Sequence, residues 1–383
     1  MRWKLPLVAS ATALLAGGAV VLALPSDAAS TTLFVATTGS DSGAGTQASP
    51  YKTINKAVSV AQAGQTILVR GGTYRPTSTI KATTSGTAAS RITLRPYSTE
   101  KVVLDLSSLP SGNWGLDVRA NYWIVQDLEV KNGPSHAIVC TSCGYDIFQR
   151  LNSHDNQDSG LALRGDNTVG NLISDSDLHG NHDDATLGQN ADGLAIKFGS
   201  GAGNVIRGVR LYNNSDDGMD TWQFASPIQV LNSWAYGNGV NRWNIKGFEG
   251  NGNGFKLGGG RPVPAVAHVV TGSKAWDNAG NGFTENSNPG SLVLTKNTAF
   301  RNSASGYFFS VSTAKLTANL DLKNTKSVSI GSKVTASGNS WQSSSAAKVA
   351  NTDPAVAEGA RATDGSLPST TFLVDSTGKF GAA

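Results

Sequence analysis

The sequence is poor in charge and in the features of helical or membrane-embedded proteins. Charged residues make up only 15% of its 383 residues, and Lys and Arg are neither clustered nor interleaved with aromatic residues, which argues against a nucleic-acid partner. After residue 65 no long amphipathic helix can be read, and after residue 24 no apolar run could cross a bilayer. The 44 glycines, with abundant Asn and Ser, instead indicate an all-β chain with many turns.

Cysteine is almost absent as well. Cys140 and Cys143 are the two cysteines, spaced as Cys-Thr-Ser-Cys. A redox motif or half of a zinc site would need a following helix or a second cysteine pair, and the sequence offers neither. The pair is therefore interpreted as a disulfide that closes a small loop, or as two free thiols.

The first thirty residues have the pattern of a secretory signal. Arg2 and Lys4 form a basic start, residues 5–24 are apolar, and small residues at 26–30 suit cleavage. An apolar run of about twenty residues could also span a membrane, but Pro6 and the small-residue end favour a cleaved signal. We expect a secreted protein with no membrane association after cleavage, a net charge of +3 instead of +4, and a monomeric state.

A short phrase recurs along the chain. An aromatic residue or His is followed two positions later by Asn, and four residues after that come Gly and an apolar residue; copies begin at His154, Tyr212, Trp276 and Phe300. Two more copies, from His179 and Tyr236, are stretched by eight and twelve residues between the Asn and the Gly. Without these insertions the period is roughly 24 to 28 residues, with short alternating strands, which is typical of a β-solenoid.

We therefore predict an all-β fold, a right-handed parallel β-helix, for residues 31–383 as a single domain. A solenoid can exceed the usual domain size because its core grows along one axis. Residues 31–75 are expected to form an N-terminal cap with a short helix at 54–61, and residues 341–383 a loose C-terminal cover. The repeated Asn should form a ladder that satisfies the turn backbone in successive coils.

Aligning the coils on their Gly-apolar step brings acidic residues together. Asp192 and Asp217 each precede the Gly, with Asp216 beside them, whereas Asp220 and Lys256 each lie two residues after it. Stacked carboxylates about 5 Å apart repel each other, and a divalent cation removes the conflict. Because every candidate ligand is an oxygen, the pattern predicts Ca²⁺ rather than zinc or copper.

The lysine in this alignment is a candidate general base. Lys256 would share an outward-facing column with Asp220 if Met219 and Phe255 point into the core. Lys197, Arg242 and Lys246 are candidates for holding an anionic substrate. His179 and His182 have a spacing compatible with metal binding, but they begin a loop, and surface roles are favoured. Both insertions should emerge at one edge and wall a groove.

The motifs resemble those of the β-helical pectate lyases of polysaccharide lyase family nine. The similarity covers most of the mature chain, from residues 38–41 and 70–74 onward, and is most specific at 190–193, 213–220 and 252–259. It implies that Asp192, Asp216, Asp217 and Asp220 bind the primary calcium and that Lys256 is the catalytic base. It further implies β-elimination on unesterified polygalacturonate, an acidic polysaccharide of the plant cell wall.

Other functions remain open at this stage. The family also contains lyases of rhamnogalacturonan and other acidic polymers. A glycoside hydrolase on the same solenoid would need an acid and a second carboxylate around the scissile bond and would not need Lys256. A carbohydrate-binding solenoid without catalysis, in which calcium is purely structural, is the third alternative. Whether the enzyme acts at chain ends or internally cannot be read from the sequence.

Overall fold

Residues 31–383, the part of the chain that this computed structural model describes, form a parallel β-helix. Three parallel sheets of 12, ten and ten strands run along its length, and each strand pairs with the equivalent strand of the next coil. The first sheet contains Thr32–Val35, Thr66–Val69, Ile92–Pro96, Trp123–Gln126, Ile147–Gln149, Leu172–Ser174, Asn204–Arg207, Ile228–Leu231, Val269–Thr271, Val293–Thr295, Lys315–Thr317 and Thr335–Ser337.

The other two sheets complete each coil. The second sheet contains Gly72–Tyr74, Val102–Asp105, Glu129–Lys131, Asn152–His154, Asp177–His179, Arg210–Tyr212, Trp234–Tyr236, Lys274–Trp276, Thr298–Phe300 and Leu320–Leu322. The third sheet contains Ile80–Ala82, Leu116–Val118, Ile138–Thr141, Leu161–Gly165, Leu194–Gly199, Met219–Asp220, Phe255–Lys256, Phe283–Thr284, Tyr307–Phe309 and Ser329–Ile330. The all-β, parallel β-helical prediction is thereby confirmed.

The Gly-apolar step of the repeat marks the start of six successive strands in the third sheet, from Leu161–Gly165 to Tyr307–Phe309. The apolar residues pair in register from coil to coil and are buried in the core; they are Leu161, Leu194, Met219, Phe255, Phe283 and Tyr307. Glycine precedes them because the coils approach closely here. A Cβ atom on Gly218 would lie 2.5 Å from the carbonyl oxygen of Gly254, which no other residue could tolerate without a backbone shift.

The repeated asparagines form the predicted ladder. The Oδ1 of each accepts hydrogen bonds from the backbone N–H and Nδ2 of the preceding one, as Asn238 does from Asn214 at 3.1 and 3.0 Å. The ladder contains Asn156, Asn181, Asn214, Asn238, Asn278, Asn302 and Asn324. Because these side chains are almost all fully buried, the ladder satisfies turn backbone that water cannot reach.

The aromatic residue or His that opens the repeat phrase forms a second column. On the second sheet the rings of His154, His179, Tyr212, Tyr236 and Trp276 stack, with neighbouring centroids 4.3 to 4.9 Å apart. Stacked rings add packing energy beyond the area that they bury. In this column His179 packs between the rings of His154 and Tyr212.

In the described part of the chain, two short α-helices lie outside the sheets. The helix Ile54–Val60 begins after Thr53, whose Oγ1 accepts a hydrogen bond from the N–H of Lys56, and it buries Ile54, Ala57 and Val58. This is the short N-terminal helix that the sequence predicted. The second helix, Ala355–Glu358, belongs to the C-terminal segment; two single 3₁₀ turns occur at Leu106–Ser108 and Ser340–Gln342.

The C-terminal segment packs along the outer face of the second sheet. Arg361 forms an ion pair of 2.7 Å with Asp177, and the buried Lys274 donates to the carbonyl of Phe372 at 2.8 Å. Phe372 is itself fully buried. These contacts tie the segment to the coils of the second sheet; the N-terminal cap to residue 75 and the loose cover from residue 341 stay predictions.

Two sequence-based expectations concern compartment. The predicted signal, residues 1–30, lies outside the described residues. Across residues 31–383, no helix is both long enough and apolar enough for a membrane span.

Cys140 and Cys143 are joined in a disulfide, so the first of the two alternatives for this pair holds.

Candidate functional site

The third sheet places the predicted base next to the predicted ligands. Asp220 pairs with Lys256 in adjacent strands, and Met219 pairs with Phe255, which confirms the coil alignment. Met219 and Phe255 are buried in the core. Because side chains alternate along a strand, Asp220 and Lys256 point the other way, and both line a groove on the outside of the sheet.

Three carboxylates meet at the turn before these strands. Oxygens of Asp192, Asp216 and Asp217 all lie within 4.8 Å of one another, and all three residues are buried. Backbone donors hold them in place: the N–H of Asn251 donates to Asp216 at 2.7 Å, and the N–H of Asn253 donates to Asp217 at 2.7 Å. The N–H of Asp217 donates to Asp192 at 3.3 Å.

Two lysines balance part of this charge. Lys256 Nζ lies 3.0 Å from Asp217 Oδ2 and 3.2 Å from Asp220 Oδ2. Lys197 Nζ lies 2.7 Å from Asp192 Oδ2 and 2.9 Å from the same Asp220 oxygen. Asp220 therefore bridges the two ammonium groups. Lys256 Nζ and Asp217 Oδ2 are within ion-pair distance, but their geometry is not that of a hydrogen bond. This buried oxygen therefore has no hydrogen-bond partner.

The cluster carries more negative than positive charge. Four carboxylates against two ammonium groups leave a formal charge of −2. Burial, opposed by Lys197 and aided by Asp220, raises the pKa of Asp192 to about 8. Burial and the neighbouring carboxylates also raise the pKa of Asp216 well above its ordinary value. Without another cation, the cluster thus favours protonated carboxyl groups, which is the cost of stacking like charges out of water.

The pKa of Lys256 follows the same charge balance. Burial alone would lower the pKa of Lys256, but the carboxylates of Asp217, Asp220 and Asp216 outweigh it and raise the pKa above its ordinary value. In this charge state Lys256 is an ammonium group and cannot accept a proton. A cation that neutralises these carboxylates would remove the interaction that keeps it protonated.

The donor set fits calcium. All four carboxylates are hard oxygen donors, three of them converge, Asp217 Oδ2 lacks a hydrogen bond, and the excess charge of −2 matches one divalent ion. Calcium accepts carboxylates, backbone carbonyls and water together in flexible geometry, and no sulfur or imidazole ligand that would favour zinc is present among these residues. The four residues that would hold it are Asp192, Asp216, Asp217 and Asp220.

A groove of about 580 Å³ lies over the cluster. The first insertion supplies one wall through Asp183, Thr186, Gln189 and Asn190, whereas the second supplies only Asn251. Asp183 organises the first wall, because its carboxylate accepts hydrogen bonds from Thr186 Oγ1 and from the N–H groups of Gly188 and Asn190.

The second insertion supports the first instead of forming an equal wall. The N–H of Glu249 donates to the carbonyl of Leu187 at 2.8 Å, and Gln189 Nε2 donates to the Glu249 carboxylate at 2.5 Å. The ring of Trp243 stacks on His182 at 4.8 Å, so His182 contributes packing. Both insertions therefore lie at the groove, as predicted, but the first supplies most of the lining residues and the second supplies only Asn251.

The three candidate substrate-binding residues divide between two locations. Lys197 lies in the carboxylate cluster. Arg242 and Lys246 are exposed in the second insertion and do not line the groove; Arg242 donates to the carbonyl of Gly237 at 2.7 Å.

Several groove residues escaped the sequence interpretation, among them Arg164, Phe198 and Trp222. Arg164 could have been found because its strand aligns with that of Lys197. Phe198 lies near the end of its strand, where the register with the preceding strand shifts, and Trp222 follows its strand; neither carries a repeat signal.

Comparisons with known proteins agree with one another. A family model described as "Pel9A-like, right handed beta helix region" matches residues 33–329, in agreement with the predicted handedness. Pectate lyase PEL9 of Emericella nidulans is 37% identical over 91% of this chain and 93% of its own length. Pectate lyase L of Dickeya chrysanthemi is 30% identical over 89% of this chain and 82% of its own. The crystal structure of pectate lyase Pel9A matches with a TM-score of 0.81 at 30% identity, covering 90% of this chain and 89% of that chain.

Proposed function

This chain belongs to the Pel9A-like family of right-handed β-helices and is a polysaccharide lyase of the pectate lyase type, and from this premise we propose that it is a secreted, calcium-dependent enzyme that cleaves unesterified polygalacturonate by β-elimination. The single observation that carries the proposal is the pairing of Asp220 with Lys256, which both line one groove and adjoin three converging carboxylates. The signal-like pattern of residues 1–30 supports secretion.

Each part of the groove has a chemical task in this proposal. Asp192, Asp216, Asp217 and Asp220 hold the calcium ion, which, when bound, supplies a positive charge that polarises the uronate carboxylate and acidifies the hydrogen at C5. A free carboxylate on the sugar is therefore required, which favours unesterified polymer over methyl ester.

Lys256 acts as the base. With the charge of its carboxylate neighbours neutralised, Lys256 Nζ is neutral when it accepts the C5 proton. The electron pair of the broken C–H bond forms the C4–C5 double bond, and the bond from C4 to the bridging oxygen breaks. The leaving oxygen takes a proton from solvent and the Lys256 ammonium later returns its proton to solvent, so no net water is consumed and one product carries an unsaturated sugar.

Lys197 is placed to assist substrate binding. Its ammonium group lies at the edge of the cluster, within the groove lining. When calcium neutralises Asp192 and Asp220, Lys197 can turn to a substrate carboxylate. A substrate-binding role for Arg242 and Lys246 stays a prediction that their positions outside the groove lining do not favour.

The proposal is tested by the ultraviolet absorbance of the unsaturated product. The purified enzyme should generate it from polygalacturonate, lose that activity on exhaustive chelation, and regain it with calcium but not with zinc. Asp217→Ala should lower activity at a given calcium concentration while the fold persists. Full activity after chelation would refute the metal site, and a preference for rhamnogalacturonan or methylated pectin would refute the substrate assignment alone.

A further inference from the structure

Arg164 lies in the groove without a counter-ion. Its side chain is half-buried, and its guanidinium carbon lies 5.3 Å from the ring centre of Trp114 and 5.8 Å from that of Phe198. Within residues 31–383, neither a hydrogen bond nor an ion pair forms on this guanidinium. The contrast is with arginines such as Arg150 and Arg301, each of which makes two hydrogen bonds to an aspartate.

Phe198 is unusual both in exposure and in backbone conformation. Its side chain is 49% exposed, and its φ of 55° lies in the left-handed region, which bulky side chains rarely adopt. The N–H of Phe198 donates to the carbonyl of Trp222 at 3.1 Å, so the next coil holds this conformation. A strained, exposed aromatic residue in a groove is a functional candidate rather than a folding requirement.

The position of this pair relative to the base defines what it can bind. Arg164 pairs with Lys197, and the following strands of the third sheet carry Asp220 and then Lys256. The strand of Arg164 is thus three strand spacings, about 14 Å, from the strand of Lys256. The column of side chains that contains Lys256 and Asp220 continues into the small side chains of Ala195 and Ala162, which leave room for a chain lying along the axis.

We propose that Arg164 and Phe198 form a distal subsite that binds a uronate unit of the polymer remote from the bond being cleaved. Fixed guanidinium groups bind carboxylates through two parallel hydrogen bonds, and an exposed aromatic face suits the apolar face of a sugar ring. Because one sugar cannot reach from Lys256 to Arg164, the subsite rewards long substrates. This inference rests on the proposed function, from which it takes the acidic polymer.

The test compares short and long oligogalacturonates. For wild type, Arg164→Ala, Arg164→Lys and Phe198→Ala, KM and kcat are measured on the trimer and the hexamer. Arg164→Ala should raise KM for the hexamer by about tenfold or more, leave KM for the trimer unchanged, and alter kcat by less than about twofold. Arg164→Lys should recover part of the loss, since it keeps the charge but not the paired geometry.

A matched control is available on another face. Arg207, at the end of strand Asn204–Arg207, is exposed, and its guanidinium likewise forms neither a hydrogen bond nor an ion pair in the described part of the chain. Arg207→Ala removes the same charge and should leave both KM values unchanged. Thermal unfolding of every variant identifies loss of fold.

The outcomes separate this inference from the proposed function. If the wild type cleaves both oligomers, and Arg164→Ala changes KM equally for both or for neither, the subsite is overturned and the proposed function stands. Wild type that cleaves neither oligomer refutes the proposed function, and calorimetric binding of the hexamer then decides the subsite. If Arg164→Ala weakens binding of the hexamer and Arg207→Ala does not, the distal subsite is supported. If the hexamer does not bind, or if both variants bind it equally well, the distal subsite is overturned.

Discussion

Removing the charge of Lys197 should make the protein bind calcium more tightly. Lys197 Nζ lies 2.7 Å from Asp192 Oδ2 and 2.9 Å from Asp220 Oδ2, and calcium would approach the same oxygens to about 2.3–2.6 Å. An ammonium left in place would then be about 5 Å from the ion. At an effective dielectric constant of about 20, charges of +2 and +1 at that distance repel by roughly 7 kcal/mol.

Movement of the Lys197 side chain can relieve most of this repulsion. The part that remains gives the smallest gain in calcium affinity expected from removing the charge. The lysine side chain can swing into the groove, but it then gives up two ion pairs and stays within one Debye length, about 10 Å. If only a fifth of the repulsion persists, about 1.4 kcal/mol, Lys197→Met should lower the calcium Kd about tenfold. Methionine retains the length of the side chain without its charge.

Calorimetric titration of the chelator-treated protein with calcium measures this directly. Lys52→Met is the control, because Lys52 is exposed in the first coil and at least five strand spacings, roughly 24 Å, from the cluster. Its charge is screened at that distance, so the calcium Kd should not change. An unchanged or higher Kd for Lys197→Met would refute the claim that this ammonium competes with the ion.

Three further predictions address the base, a buried acid and the ladder. Lys256→Ala should lower kcat about 10²- to 10⁴-fold, and Lys256→Arg should be nearly as inactive because arginine stays protonated. Near-wild-type activity of the arginine variant in the product-absorbance assay would show that Lys256 binds the substrate through its positive charge and is not the base. Burial raises the pKa of Asp146 to about 8, so the neutral acid is favoured in the fold and stability falls as pH rises from about 4 to 8. Asp146→Asn should therefore gain about 1.4 kcal/mol over wild type per pH unit in that window, seen as a growing difference in Tm; a pH-independent difference would contradict it. Asn238→Ala should lose roughly 3 to 5 kcal/mol of unfolding free energy in urea, because it leaves buried partners at Asn214 and Leu211 unsatisfied; a loss below about 1 kcal/mol would show that the ladder adds little.

The coil alignment could be predicted from the sequence because the repeat is enforced by close contacts. Glycine is required where Gly218 meets Gly254, and asparagine where each side chain bonds the next, so both residues mark register. Once the Gly-apolar step fixed the register, the pairing of Asp220 with Lys256 followed by counting. A second ladder, through Asn297, Asn319 and Asn339, lies outside the recognised phrase and was missed.

Contacts that do not repeat could not be predicted in the same way. Arg361 meets Asp177 across 184 positions, and no periodicity relates a terminal segment to the coil that it covers. The position of Lys197 in the carboxylate cluster was also missed, because it depends on how a long side chain turns and not on its coil register. Phe198 lies where the pairing register of its strand shifts, and Trp222 follows its strand, so their groove positions depend on local backbone irregularities and not on the repeat.

The architecture itself accounts for why a cation site arises in a fold stabilised by ladders. Stacking coils at about 4.8 Å brings equivalent side chains into contact, and an amide tolerates this because it carries both donor and acceptor. Asn214 and Asn238 therefore bond directly at 3.0 Å. A carboxylate carries only acceptors when ionised, so the equivalent stack of Asp192 and Asp217 requires protons, lysines or a metal. The two lysines neutralise half of the negative charge, and the remaining half leads us to propose calcium. When calcium binds the carboxylates that keep Lys256 protonated, Lys256 can lose its proton and act as a base.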